Sequence, residues 1–171
     1  MEEFKIVNSD STNIDAIFNF YDIAIAFQKE KFDKHWEPFS RDMVIHEIEE
    51  KRQWKILSGN TIACIFVTAE NDPLIWGEKD KEPSIYIHRI VTNPTFRGNN
   101  FVMRIVDWVK DYARSKNKKF IRMDTWGDNQ KLINYYVDCG FTFLGITTPT
   151  GLDKLPLHYE GITLSLFQMP V

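Results

Sequence analysis

Apolar residues return along this chain at helical spacing in some stretches and in alternating or continuous runs in others. Ile14, Ile17, Phe18, Tyr21, Ile25 and Phe27 recur three and four positions apart, which gathers them on one stripe of a helix. Asp10-Ser11-Thr12 stands just before that stripe and offers side-chain oxygens to the first free backbone N–H groups. Ser40-Arg41-Asp42 opens a second predicted helix through Met43, Ile45 and Ile48. The clearest helix starts at Phe101 and carries Phe101, Val102, Ile105, Trp108, Val109 and Tyr112 on one face. Arg104, Asp107, Lys110, Asp111 and Arg114 take the other. A further helix begins at Asp128-Asn129, carries Leu132, Ile133, Tyr135 and Tyr136, and stops at Gly140. Phe4 to Val7, Trp54 to Leu57, Thr61 to Thr68, Ser84 to Thr92, Lys119 to Asp124, Phe141 to Thr147 and Ile162 to Met169 read as strands, rich in β-branched and aromatic residues. Ser58-Gly59-Asn60 between two of them is a hairpin turn. Asn71 to Pro83 reads as an exposed loop broken only by Leu74-Ile75-Trp76, and Thr148 to Gly161 as a second loop.

The resulting order, β-α-α-β-β-β-α-β-α-β-β, is a mixed α/β layout. The strand–helix–strand unit from Ile85 to Met123 is predicted to be a right-handed parallel crossover. The chain has 171 residues, 43% of them hydrophobic and 14% aromatic, which suits a single domain over 1–171 with a real core and argues against disorder. No repeat or low-complexity linker divides it. The formal net charge of -3 and the lack of a basic stripe argue against a nucleic-acid partner. Cys64 and Cys139 sit in apolar contexts, which predicts buried thiols rather than a disulfide. The four histidines are scattered, and no Cys/His spacing resembles a zinc site. The N-terminus is acidic, and no apolar run approaches the roughly 18 residues of a membrane helix. A soluble cytoplasmic protein with no membrane partner is expected.

The stretch Asn93 to Val109, NPTFRGNNFVMRIVDWV, places Arg97-Gly98-Asn99-Asn100 between the end of a strand and the start of the clearest helix. A helix N-terminus has unpaired N–H groups and a positive dipole end, so a tight loop entering it can hold a phosphate. Gly98 supplies backbone freedom, Asn99 and Asn100 tolerate left-handed conformations, and Arg97 adds a permanent cation. No Gly-Lys-Ser/Thr follows, so this is not a P-loop. One glycine of three is too few for a dinucleotide fingerprint. Loops of this composition also occur without any ligand.

These residues resemble the acyl-CoA-binding signature of the GNAT superfamily of N-acetyltransferases. Ile90-Val91-Thr92-Asn93-Pro94-Thr95-Phe96-Arg97-Gly98 is similar to the family's strand, Asn/Asp-Pro, aromatic and Arg-Gly succession. Downstream, Asn129, Tyr136, Gly140 and Phe141 in NQKLINYYVDCGF resemble a second family signature. Two departures stand out: Asn100 and Val102 occupy positions where the family usually has Gly, and Gly or Ala. Small residues there let a pyrophosphate approach the backbone, and the branched side chain of Val102 is stiff.

The resemblance implies an α/β acyl-CoA N-acyltransferase fold, a mixed and mostly antiparallel central sheet flanked by helices. It implies acetyl-CoA as co-substrate and transfer of its acetyl group to a primary amine of a small molecule, by direct attack in a ternary complex. Such a reaction needs a deprotonated amine held near the thioester carbon, a donor for the oxyanion and a proton for the leaving thiolate. It requires no metal. Tyr136 is matched to the thiolate acid and Tyr135 to the core. His88 is the candidate base, with a side-chain pKa class suited to neutral pH; a structural histidine is the competing reading. Ile90, Val91 and Thr92 are expected to offer backbone groups to the pantetheine arm. Arg97, Gly98, Asn99, Asn100, Phe101 and Val102 are expected to bind the pyrophosphate, and Asn129 to bind the arm or cap its helix. Arg89 is expected to be a structural or pocket charge. Phe27, Trp36, Glu37 and Tyr159 are candidate acceptor-binding residues, each equally explained by packing. A homodimer is compatible with the resemblance. The competing functions are a non-catalytic acyl-CoA or metabolite-binding module with a degenerate loop, and a protein-interaction domain without cofactor.

Overall fold

The computed structural model describes residues 3–127, 129–149 and 163–171. In chain order the elements are β1 (Phe4–Asn8), α1 (Ile14–Lys31), α2 (Arg41–Glu49), β2 (Gln53–Ser58), β3 (Thr61–Ala69), α3 (Pro73–Trp76), β4 (Ser84–Thr92), α4 (Phe101–Ser115), β5 (Phe120–Trp126), α5 (Gln130–Asp138), β6 (Thr142–Thr147) and β7 (Leu164–Pro170). Short 3-10 turns occupy Ser11–Asn13, Gly77–Lys81 and Pro94–Phe96. The strands run in the order β1-β2-β3-β4-β5-β7-β6. The pairs β1/β2, β2/β3, β5/β7 and β6/β7 are antiparallel, and β4/β5 is parallel. This is the mixed, mostly antiparallel sheet of the expected α/β class, with its parallel crossover at β4-α4-β5.

The chain forms two compact units, one reaching from the N-terminus to Thr68 and including Arg89–Phe101, the other comprising Ala69–His88 and Val102–Val171. In the first, Asp10 makes a reciprocal capping box with Asn13, satisfying donors that would otherwise be orphaned. Ser40 caps α2 by accepting from the Met43 N–H. Ile17, Phe20 and Tyr21 of α1 and Val44 and Ile48 of α2 bury against Ile65 and Val91. Each such side chain contributes about 1.5–3 kcal/mol by leaving water.

The second unit is built round Arg122, fully buried on β5. Its guanidinium donates to Gln168 Oε1, the Lys79 carbonyl, the Tyr86 hydroxyl and Glu82 Oε1. It also lies over the rings of Trp76 and Phe120. A buried charge costs several kcal/mol unless paired and hydrogen-bonded, and these partners meet that need. Ile75, Trp76, Tyr86, Leu164 and Leu166 pack together beside it.

Several expectations shift. Asn71 to Pro83 is not a plain exposed loop: α3 forms inside it and buries Ile75 and Trp76, because Pro73 suits a first helical turn and two large apolar side chains follow. The buried stripe of α4 is Phe101, Ile105, Val106, Val109 and Ala113. Trp108 and Tyr112, assigned to that face, are only half-buried and stack on each other at 5.1 Å. Tyr135 is 40% exposed rather than core, whereas its neighbour Tyr136 is 9% exposed. Asp128 and residues 150–162, which include most of the predicted loop Thr148 to Gly161, lie outside the described residues. Both cysteines are buried and free.

Candidate functional site

Asn93 anchors the loop that leaves β4. Its Nδ2 donates to the Ile62 carbonyl, its N–H to the Ala63 carbonyl, and its Oδ1 accepts from the Thr95 N–H. The chain then turns through Gly98 at φ +87 and Asn100 at φ +55 before α4 begins. A β-carbon on Gly98 would meet nothing within 4 Å, so glycine is needed there for conformation rather than for room. Asn100 takes the left-handed conformation with a side chain suited to it, at the position where a glycine was missed. Asn99 Nδ2 donates to the Phe96 carbonyl and braces the turn. Arg97 and Gly98 are exposed, Phe101 is buried and Val102 is half-buried. Open loop, exposed cation and helix N-terminus fit an anionic phosphate group.

β4 also departs from regular strand geometry. Arg89 has φ +50, a conformation costing about 1–2 kcal/mol outside glycine. Its guanidinium is held by Glu47 and the Tyr21 hydroxyl and lies 5.0 Å from the Phe39 ring. The β4/β5 ladder ends at Tyr86↔Arg122, although β4 continues to Thr92 and β5 to Trp126. Backbone groups of Ile90, Val91 and Thr92 thus lie beyond the parallel ladder, where an extended ligand arm could pair with them.

His88, on β4, lies between two aspartates. Its Nε2 is 3.5 Å from Asp72 Oδ2 and its Nδ1 is 4.0 Å from Asp124 Oδ1. Asp72 is the residue before α3, and its N–H donates to Asp80 Oδ1. Asp124 lies on β5 with a side chain 7% exposed. Burial pushes the Asp124 carboxyl up to about 7. Burial, then the charges of Asp124 and Asp80, push Asp72 up to about 8. Tyr136 packs against Phe141 and Phe167. Burial first, then Tyr135, Cys139 and Asp124, raise its phenol well above the ordinary value, so it stays protonated and able to donate. Asp124 therefore acts electrostatically on Tyr136 and stands beside His88. Sequence reasoning missed both aspartates. Asp124 closes the strand KFIRMD and Asp72 precedes a proline; neither position signals that it faces the same histidine.

Asn129 Oδ1 caps α5 by accepting from the Leu132 N–H, the capping role of its two expected roles. Phe27 is 41% exposed, with the Arg97 guanidinium 5.3 Å from its ring centre, so it neighbours the anion loop. Trp36 contacts the Tyr21 and Phe39 rings and packs on the first unit's core. Glu37 is exposed, 3.9 Å from His35 Nδ1. Tyr159 lies outside the described residues. No helix among the described residues is long and apolar enough to cross a membrane.

Residues 17–141 match the model of the acetyltransferase (GNAT) family. The chain is 24% identical over 125 residues to the uncharacterized N-acetyltransferase YesJ of Bacillus subtilis (strain 168), covering 68% of this chain and 69% of that protein. It is 35% identical over 60 residues to the streptothricin acetyltransferase of Escherichia coli, a match spanning only 35% of this chain and 34% of the relative. Among solved structures it is similar to a GNAT-family acetyltransferase from Listeria monocytogenes 4b F2365, with TM-score 0.80 and 19% identity over 99% of this chain and 96% of the other. It is also similar to YncA of Salmonella typhimurium, solved with its cofactor acetyl-CoA, at TM-score 0.68 and 14% identity over 98% and 93% of the two chains. With the matched segment spanning α1 to α5 and including both β4 and the loop entering α4, this chain belongs to the GNAT family of acetyltransferases.

Proposed function

We propose that this protein is an N-acetyltransferase that moves the acetyl group of acetyl-CoA to a primary amine of a small molecule, by direct attack in a ternary complex. The observation that carries the reading is the loop into α4, where Gly98 at φ +87 and Asn100 at φ +55 turn the chain into a helix N-terminus beside exposed Arg97. Backbone N–H groups there would hold the pyrophosphate of the co-substrate. Ile90, Val91 and Thr92 would pair with the pantetheine arm along the β4 edge that lies beyond the β5 ladder. His88 would take the proton from the attacking amine, and Tyr136 would give one to the departing thiolate. The left-handed turn at Arg89 re-aims the β4 backbone, which supports a main-chain donor to the oxyanion in this stretch.

Calorimetric titration with acetyl-CoA, and with CoA for comparison, tests the loop. Micromolar binding supports the reading and leads to a panel of amines followed by thiol release. Absence of binding at millimolar ligand overturns it. Binding without turnover on any amine would favour a non-catalytic acyl-CoA module.

A further inference from the structure

Asp72 stands just before α3, His88 lies on β4 and Asp124 on β5, all within the second unit. Their nearest polar atoms lie within 4.8 Å of one another. Two details mark the cluster as more than a chance meeting of acids. Asp72 Oδ2 and Asp124 Oδ1 are buried and have no hydrogen-bond partner among the described residues, and such oxygens are costly to leave unsatisfied. Each of these same oxygens faces a different nitrogen of one imidazole.

A divalent ion bound by all three side chains would take one ring nitrogen and one oxygen from each carboxylate, and three such atoms lie close enough together for that. The shortest approaches run instead from the two carboxylates to opposite ring nitrogens, which suits a ring protonated at both positions. We propose that Asp72 and Asp124 are positioning residues for His88, and that the three side chains form one proton-holding unit. The proposal rests on the assignment of His88 as proton acceptor in the acetyl transfer. Asp72 faces Nε2 and Asp124 faces Nδ1, so the ring has an acceptor on either side whichever nitrogen is protonated.

In turnover, an N–H bond of the amine breaks and its proton passes to His88, while the C–N bond forms and the C–S bond breaks. The sulfur takes a proton from Tyr136. The unit then gives up its proton and Tyr136 regains one, so the amine has lost one hydrogen and CoA has gained one. Titratable groups of the neighbouring elements face the unit. Tyr86 stacks on the His88 ring at 6.4 Å, Asp80 receives the Asp72 N–H, and Tyr136 senses Asp124. Tyr86 donates to Asp80 Oδ1 and accepts from the buried Arg122 guanidinium.

The test is nitrogen-15 NMR of the imidazole rings in the protein without ligand, titrated over about pH 5–9, with His88 assigned by its loss in His88→Gln. The expected result is two inflections for His88, reporting its coupling to the carboxyls. Asp72→Asn and Asp124→Asn should each lower the upper His88 inflection by about one pH unit, since each removes a carboxyl that, once ionised, stabilises the protonated ring. Asp124→Glu should restore it in part. A single inflection unmoved by either Asn variant overturns the proposal. So does stoichiometric Zn²⁺ or Mn²⁺ binding to wild type that Asp124→Asn abolishes. If Asp124→Asn does not fold, Asp72→Asn and carbon-13 carboxyl titration of the wild type decide the matter. The readout needs no activity: coupling seen in a protein that transfers no acetyl group would overturn the proposed function and leave the unit standing.

Discussion

Glu47 and Arg89, 42 residues apart in the chain, meet as an ion pair with side chains 4% and 13% exposed. The pair ties α2 to the one residue of β4 held at φ +50. Arg52 lies 3.7 Å from the same carboxylate. The pair thus keeps a strained backbone in place at the strand that the acyl arm is proposed to follow.

Removing one partner of a buried pair strands the other. Glu47→Ala is expected to lower unfolding free energy by about 3 kcal/mol, measured as a shift in urea midpoint with the slope unchanged. A loss under about 1 kcal/mol would place the pair with exposed salt bridges, and Arg89 would need another anchor.

Tyr136→Phe keeps the ring that packs on Phe141 and Phe167 and removes only the hydroxyl. The kcat should fall by about 100-fold or more, while the affinity for acetyl-CoA changes little. Comparable losses in both would assign Tyr136 to packing.

Gly98→Ala places a β-carbon on a residue at φ +87 with nothing to clash against. The cost is conformational, about 1 kcal/mol or slightly more, and should appear as roughly tenfold weaker acetyl-CoA binding by calorimetry. Asn100→Gly at φ +55 should bind at least as tightly as wild type. Weaker binding by Asn100→Gly would mean that the asparagine side chain itself touches the ligand.

Asp124 and Asp72 ionise in the fold at about 7 and about 8, against an ordinary 3.8. Between those values the folded protein holds protons that the unfolded chain has released. Their contribution is therefore complete below about pH 4, declines as pH rises, and is gone above about pH 8. The stability difference between wild type and Asp124→Asn should shift against wild type by roughly 1 kcal/mol per pH unit from about pH 5 to 7. Thermal unfolding at several pH values gives this slope directly. A flat difference over that range would mean that Asp124 is ionised throughout it.

The element order, the parallel crossover and the loop before α4 could all be read from the residues themselves. Each depends on neighbours in the chain: helical spacing in α1, β-branched runs in β4, and Arg-Gly-Asn-Asn ahead of an amphipathic stretch. Such signals are local, because capping, turn conformation and face periodicity act over a few residues. The family signatures are local in the same sense. α3 was missed because four residues are too few to establish a helical period.

What tertiary structure decided is which distant side chains share a space. Tyr135 and Tyr136 are equivalent to any local rule, and only the packing of α5 buries one and exposes the other. Nothing in the strand KFIRMD marks Arg122 as buried; that follows only from Glu82, Gln168, Tyr86 and the Lys79 carbonyl closing round it. Asp72 and Asp124 acquire their shifted ionisation from burial beside His88, and nothing in their own neighbourhoods announces it. Desolvation and charge coupling depend on through-space distance, so the chain specifies the groups and the fold determines their chemistry.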